Sequence, residues 1–289
     1  MVIKRKAARK SSNARAAAGV SKPLAIATNK QKGVPERIMA LSQAPLNVTE
    51  NNLEKIMVVL GDADEPIEVR LAALQSLQAA SFNVTAFEPS SGKYRTTLRK
   101  VAHDANPELR QQALAALAQQ KDGFAQKRLL QGLQDPGKAL VPPEKALALL
   151  GYDLHADAYK AARAIVENPP SPVAKREALR LLAADPTSAQ MFEKILLDKD
   201  ELRENRQVSA TALHSLEPDR FQGLARNIVL DSSDYDDIQA TSLTALTQFG
   251  DEAKVATDQS LRQSVDRMKT KGSAKLQQSA KQFLSRYRG

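Results

Sequence analysis

The chain contains no cysteine and no tryptophan, and aromatic residues are only 4% of it. Without cysteine there is no disulfide framework, no thiolate metal site and no cysteine nucleophile, a composition compatible with a reducing compartment. Long apolar runs are missing too. No stretch approaches the roughly 18 consecutive apolar residues of a membrane span, and the amino terminus lacks the apolar core of a secretory signal. A soluble, cytoplasmic protein is therefore expected. On that reading the triplets Asn47-Val48-Thr49 and Asn83-Val84-Thr85 carry no glycan, because the acceptor motif has meaning only in the secretory pathway. Also absent are a phosphate-cradling glycine loop, a serine elbow and a carboxylate pair marked out by its surroundings. The histidines His103, His155 and His214 stand at no metal-ligand spacing and are expected to be structural or superficial. The sequence indicates no catalytic residue, no cofactor and no metal site, and the expectation is a protein that is not an enzyme.

Ala and Leu, both good helix formers, make up most of the 42% hydrophobic content. Such small side chains suit closely packed helices. At 289 residues the chain can form two ordinary domains, or one elongated domain in which each unit touches only its neighbours.

The net charge of +9 is concentrated at the ends. Residues 1–37 carry ten Lys/Arg against one acid and residues 251–289 carry nine against four, leaving 23 bases and 28 acids between them. Residues 1–33 hold no acid, few large apolar residues and no sustained period, the composition of a tail that does not fold alone. Its bases Lys4, Arg5, Lys6, Arg9, Lys10 and Arg15 can bind nucleic acid or an anionic membrane surface. They equally suit an organelle-targeting peptide or a solvated tail. No aromatic interleaves them, so base stacking is not indicated. A short helix around Glu36 to Gln43 is expected to lead into the body.

From about residue 50 the chain repeats itself. The leucine pairs Leu74/Leu77, Leu114/Leu117, Leu147/Leu150, Leu179/Leu182, Leu213/Leu216 and Leu243/Leu246 follow at steps of 40, 33, 32, 34 and 30 residues. The long first step is read as a surface loop over Phe82 to Gly92. Upstream of each pair lies a second apolar segment at helical spacing, for example Leu53, Ile56 and Leu60, or Leu129, Leu130 and Leu133. Polar breaks separate the two segments: GDADEP at 61, HDANP at 103, QDPG at 134, ENPPSP at 167 and DSSDYDD at 231. Their Asp and Asn are expected to cap the second helix, with Pro in its first turn. A two-helix hairpin of this size cannot bury its apolar faces alone, so neighbours must stack.

The segments DEPIEVRLAALQSL (64–77), DANPELRQQALAAL (104–117) and PVAKREALRLL (172–182) resemble HEAT repeats of the type first noted in phycobilisome lyases. The resemblance covers about residues 50–250. It implies an all-α fold: a right-handed α-solenoid of about six HEAT-like helical hairpins over 34–250, closed by a basic C-terminal helical cap over 251–289. That cap would hold an amphipathic pair, about 251–269 and 273–287. The resemblance also implies that Arg70, Arg110 and Lys175 pair with acids between the helices, here Asp62 or Asp64 and Asp104. In the third, fifth and sixth units the same position holds Pro143, Ser209 and Gln239. The acid run Asp231, Asp234, Asp236 and Asp237 lacks the glycine and downstream glutamate of a calcium loop, and is read as a capping loop.

Stacking aligns equivalent residues of the second helices on one surface, usually the concave one. One ladder there reads Gln75, Ala115, Ala148, Arg180, His214, Thr244. The next reads Gln78, Ala118, Gly151, Ala183, Glu217, Thr247. With a single Arg, this surface suits a helix or an extended peptide better than a phosphate backbone. Gln75, Gln78, Arg180, His214 and Thr244 are therefore the candidate partner-binding residues. The leading expectation is a scaffold or adaptor that grips a protein segment, as HEAT arrays mostly do. Two alternatives stand beside it. One is a nucleic-acid-associated protein using both basic ends. The other is an enzyme on this architecture, a bilin lyase or isomerase or a DNA glycosylase, the last of which needs aromatics to hold an extruded base.

Overall fold

The computed structural model describes residues 22–46 and 48–287, and every regular element among them is helical. Contacts divide the chain into two units, Met1–Leu109 and Arg110–Gly289.

The first unit holds α1 (Lys22–Ala27), α2 (Val34–Gln43), α3 (Glu50–Gly61), α4 (Ile67–Ser81), α5 (Val84–Phe87), α6 (Ser91–Val101) and the start of α7 (Pro107–Gln119). α1 packs on α2 and α3 on α4, while α2 lies against α4 and α3 against α6. Residues 22–33, expected to belong to the tail, instead form α1 and its turn, because Leu24 and Ala27 are fully buried. The expected loop over Phe82 to Gly92 is also mostly helical. Asn83 accepts a hydrogen bond from the Ala86 N–H to cap α5, and a 3-10 turn over Glu88–Ser90 leads into α6. Burial drives this folding: Phe87 sits edge-on to buried Tyr94, ring centroids 5.3 Å apart.

The second unit continues with α8 (Gly123–Gln134), α9 (Pro143–Leu150), α10 (Ala156–Glu167), α11 (Pro172–Leu182), α12 (Ala189–Leu197), α13 (Arg203–Leu216), α14 (Pro218–Leu230) and α15 (Asp236–Phe249). It ends with α16 (Glu252–Thr257), α17 (Gln259–Met268) and α18 (Ala274–Arg286). Consecutive helices pair as hairpins, and the second members α9, α11, α13, α15 and α18 pack each on the next. The leucine pairs form the seam: Leu147, Leu150, Leu179, Leu182, Leu213, Leu243 and Leu246 are all buried. The first helix of the expected C-terminal pair is broken at Asp258, whose carboxylate caps α17 through the Leu261 N–H at 3.0 Å. Beyond it Val265, Leu276, Ala280 and Phe283 join one core with Leu243 and Leu246 of α15. There Tyr287 donates its hydroxyl to the Leu246 carbonyl at 2.6 Å, passing so close to Gly250 that a Cβ there would lie 2.6 Å from it.

In the polar breaks Asn106 caps the second helix α7 as expected, whereas the aspartates turn the chain instead. Asp62, Asp104, Asp135, Asp198 and Asp231 each accept from the N–H two residues on, at 2.9–3.0 Å, and so turn the chain. Capping of a second helix by such a break falls to Asn106 on α7 and Ser171 on α11. His155 caps the first helix α10 through Nδ1. Among the described residues no helix is long and apolar enough to cross a membrane.

Candidate functional site

The second helix of each hairpin carries both the ties between layers and the exposed candidate face. The fourth residue of α2, α4 and α13 is an arginine. In all three its Nε donates to a carbonyl ten residues back, in the last turn of the preceding helix: Arg37 to Ala27 at 2.9 Å, Arg70 to Leu60 at 3.0 Å and Arg206 to Leu196 at 2.8 Å. Carbonyls at a helix end have no donor within the helix, and the arginine supplies one. The rest of each guanidinium reaches the following hairpin. Glu65 accepts two bonds from Arg37, at 2.6 and 2.7 Å; Asp104 accepts from Arg70 at 2.6 Å; Asp234 accepts from Arg206 at 2.8 Å. One side chain thereby closes its own hairpin and fixes the next.

These ties are deep. The side chains of Arg37 and Glu65 are 2% and 3% exposed, and those of Arg206 and Asp234 are 2% and 1%. At such depth desolvation offsets much of the attraction, so the pair contributes register more than net stability. Three further second helices vary the device. Arg110 donates to the Leu140 carbonyl at 2.5 Å, Lys175 pairs with Glu201, and Gln239 donates to the Asp231 carbonyl at 2.8 Å.

Two expectations change here. Arg70 meets Asp104 of the next hairpin rather than Asp62 or Asp64. Asp62 is taken by Lys30, whose hydrogen bond holds that carboxyl below the usual carboxylate range. In the fifth unit the arginine position is Arg206, not Ser209, because α13 begins three residues earlier relative to Leu213 than α4 does relative to Leu74. Ser209 is fully buried and its hydroxyl finds no partner. The leucine pattern does not point to Arg37 and Glu65, because residues 22–33 have the composition of a tail. The ten-residue step from Ala27 to Arg37, matching Leu60 to Arg70, is the signal that finds them.

The candidate partner-binding residues separate by unit. Gln75 is exposed and Gln78 half-buried on α4. In the second unit Arg180 is exposed and donates to Glu177 at 2.6 Å, while Thr244 is half-buried and donates to the Ala240 carbonyl at 2.9 Å. His214 is half-buried between Phe221 and Phe249, with ring centroids 5.8 and 5.5 Å away. Burial pushes its pKa below the usual value, against a hydrogen bond to Gln248 that raises it. The tail residues Lys4, Arg5, Lys6, Arg9, Lys10 and Arg15 lie outside the described residues.

No family model matches the chain, and no curated protein matches it. Solved structures do. An engineered protein from a structural genomics consortium is 17% identical, with 92% of this chain and 78% of that chain covered and a TM-score of 0.49. The complex of CpcE and CpcF of phycocyanin lyase from Nostoc is 18% identical over 90% of this chain and 98% of that chain, with a TM-score of 0.40. Human deoxyhypusine hydroxylase is 15% identical over 83% and 97%, with a TM-score of 0.35. At these values the likenesses carry no functional assignment.

The acid run is committed within the protein. Lys199 holds Asp231 and Asp234 at 2.7 Å each, Arg203 meets Asp237 at 3.2 Å, and Asp236 accepts from the Ser273 N–H at 2.5 Å. Lys199, with help from Ser233, keeps Asp231 well below the usual carboxylate range. Among the described residues no group of three or more His, Asp or Glu is placed to hold a metal ion.

Proposed function

We propose that the protein is a non-catalytic, cytoplasmic scaffold of HEAT type whose second helices hold a segment of a partner protein. The observation that carries this reading is the row of packed second helices in the second unit. α9, α11, α13 and α15 lie side by side and leave small, mostly uncharged residues at or near the surface, among them Ala148, Gly151, Ala183, Thr244 and Thr247 beside Arg180. The Lys175–Glu201 pair and the buried Arg206–Asp234 pair tie α11 and α13 to the hairpins that follow, so this part of the face is formed before a partner arrives and binding carries little ordering cost. Gln75 and Gln78 present amide side chains of the same character in the first unit. His214 and the exposed edge of Phe249 add an aromatic contact.

A photo-crosslinking amino acid placed at Ala148, Arg180 or Thr244 of the complete chain tests the reading. The three positions are expected to capture the same partner protein in cells. Lys127 and Lys160, exposed on the first helices α8 and α10, are expected to capture none of it. Equal capture from both sets overturns the assignment of the face.

A further inference from the structure

We infer that the solvent side of the terminal hairpin α17/α18 is a docking surface for the phosphate backbone of duplex nucleic acid. The residues from 259 to 289 contain eight bases, Arg262, Arg267, Lys269, Lys271, Lys275, Lys281, Arg286 and Arg288, against the single acid Asp266. That acid is taken by Lys269 at 2.7 Å. Among the described residues, Arg267, Lys271, Lys275, Lys281 and Arg286 are exposed and have no carboxylate within ion-pair distance; Arg286 lies 5.8 Å from the ring centroid of Tyr287. Charges of one sign gathered this way repel one another and lower stability unless something outside the fold neutralises them.

The geometry narrows the ligand. α17 rests on α14 and α18 on α15, and the far sides of both are open to solvent. On α18 the exposed residues Lys275, Gln278, Gln282 and Arg286 follow at three- and four-residue steps, so they form one stripe about 16 Å long. The stripe holds cationic and amide donors and no carboxylate, which suits a regular row of phosphates. Phe283 and Tyr287 are turned into the core, so the surface offers no platform on which unpaired bases could stack. With no large apolar side chain fully exposed on the hairpin, nothing is available to enter a lipid surface. The N-terminus of α18 takes no part, because the Ser273 N–H is already bonded to Asp236.

The test uses the complete chain with Lys4, Arg5, Lys6, Arg9, Lys10 and Arg15 all changed to Gln, so that the hairpin is read without the tail. Affinity for a fluorescent 20-base-pair duplex of arbitrary sequence is followed by anisotropy. Five phosphate contacts predict a fall of roughly 500-fold between 50 and 200 mM salt. Adding Lys275→Gln, Lys281→Gln and Arg286→Gln leaves about two contacts and a fall of roughly tenfold, with a melting temperature equal to or above that of the tail variant. A duplex affinity and salt slope that the triple change does not alter overturn the inference. So does binding to vesicles containing phosphatidylserine with no measurable binding to the duplex, which assigns the surface to lipid.

Discussion

In the hairpin α12/α13, Glu193, Lys199, Arg203 and Arg206 all end on charged partners in the hairpin that follows, Arg220, Asp231, Asp234 and Asp237 among them. In α17/α18 most bases end in solvent. Both hairpins bury an apolar seam against the layer before them, so the difference lies in what comes after. An internal layer receives carboxylates from the next break, and its cations become part of the architecture. In α17/α18 no carboxylate of another described helix reaches Arg267, Lys271, Lys275, Lys281 or Arg286, so these cations stay at the surface.

The strongest way to break this comparison is to remove one member of an internal tie. Arg206→Met leaves the buried Asp234 carboxylate with only the half-exposed Lys199 and the Tyr235 N–H, and the expected cost is about 3–5 kcal/mol in urea unfolding. The double change Arg206→Met with Asp234→Leu is expected to cost much less, since no buried charge is then left unpaired. A single change costing under about 1 kcal/mol would show that the tie is dispensable.

Acid reaches the same pair more gently. Burial alone would raise Asp234, yet bonds from Arg206 and Lys199 hold it below the ordinary 3.8. A lowered folded value means that the stabilisation is complete above the unfolded value and is lost as pH falls through the folded one. Urea midpoints are therefore expected to drop below pH 3.8 in the native chain, and the gap to Asp234→Asn is expected to close there. A gap that persists in acid removes the ion pair from the account.

At the terminal layer, Tyr287→Phe loses the bond to Leu246 and is expected to cost about 1 kcal/mol. Ser209→Ala sharpens the register. A residue that tied layers together would be costly to change, whereas this unpartnered hydroxyl is expected to matter by no more than about 0.5 kcal/mol, or to improve stability when removed. Smallest of all, neutralising Lys275, Lys281 or Arg286 singly is expected to shift stability by under about 0.5 kcal/mol, while duplex affinity falls.

The helical hairpins and their leucine seam were legible because burial imposes a spacing that survives loss of any one residue. The arginine ties were half legible. Arg70 and Arg110 stand four residues before a leucine, but at α13 the seam offers Leu213 and Leu216 in phase with the helix while the tie is counted from the helix start. Counting from leucine therefore led to Ser209. The break acids were misread for a related reason: Asp62 or Asp231 can either cap a helix or turn the chain, and only the path of the backbone decides. The half-buried state of His214 was not legible, because it depends on Phe249 arriving from the next hairpin.

The arginine bracket has one arm of fixed reach and one of variable reach. From the backbone carbonyl to the arginine the interval is always ten residues, whereas from the arginine to its acid it is 28 or 34. Added sequence is thus tolerated where one hairpin passes to the next, as the α5 segment already illustrates, and refused inside a hairpin. New loops, and any specificity grown on them, would accumulate where one hairpin of a unit meets the next.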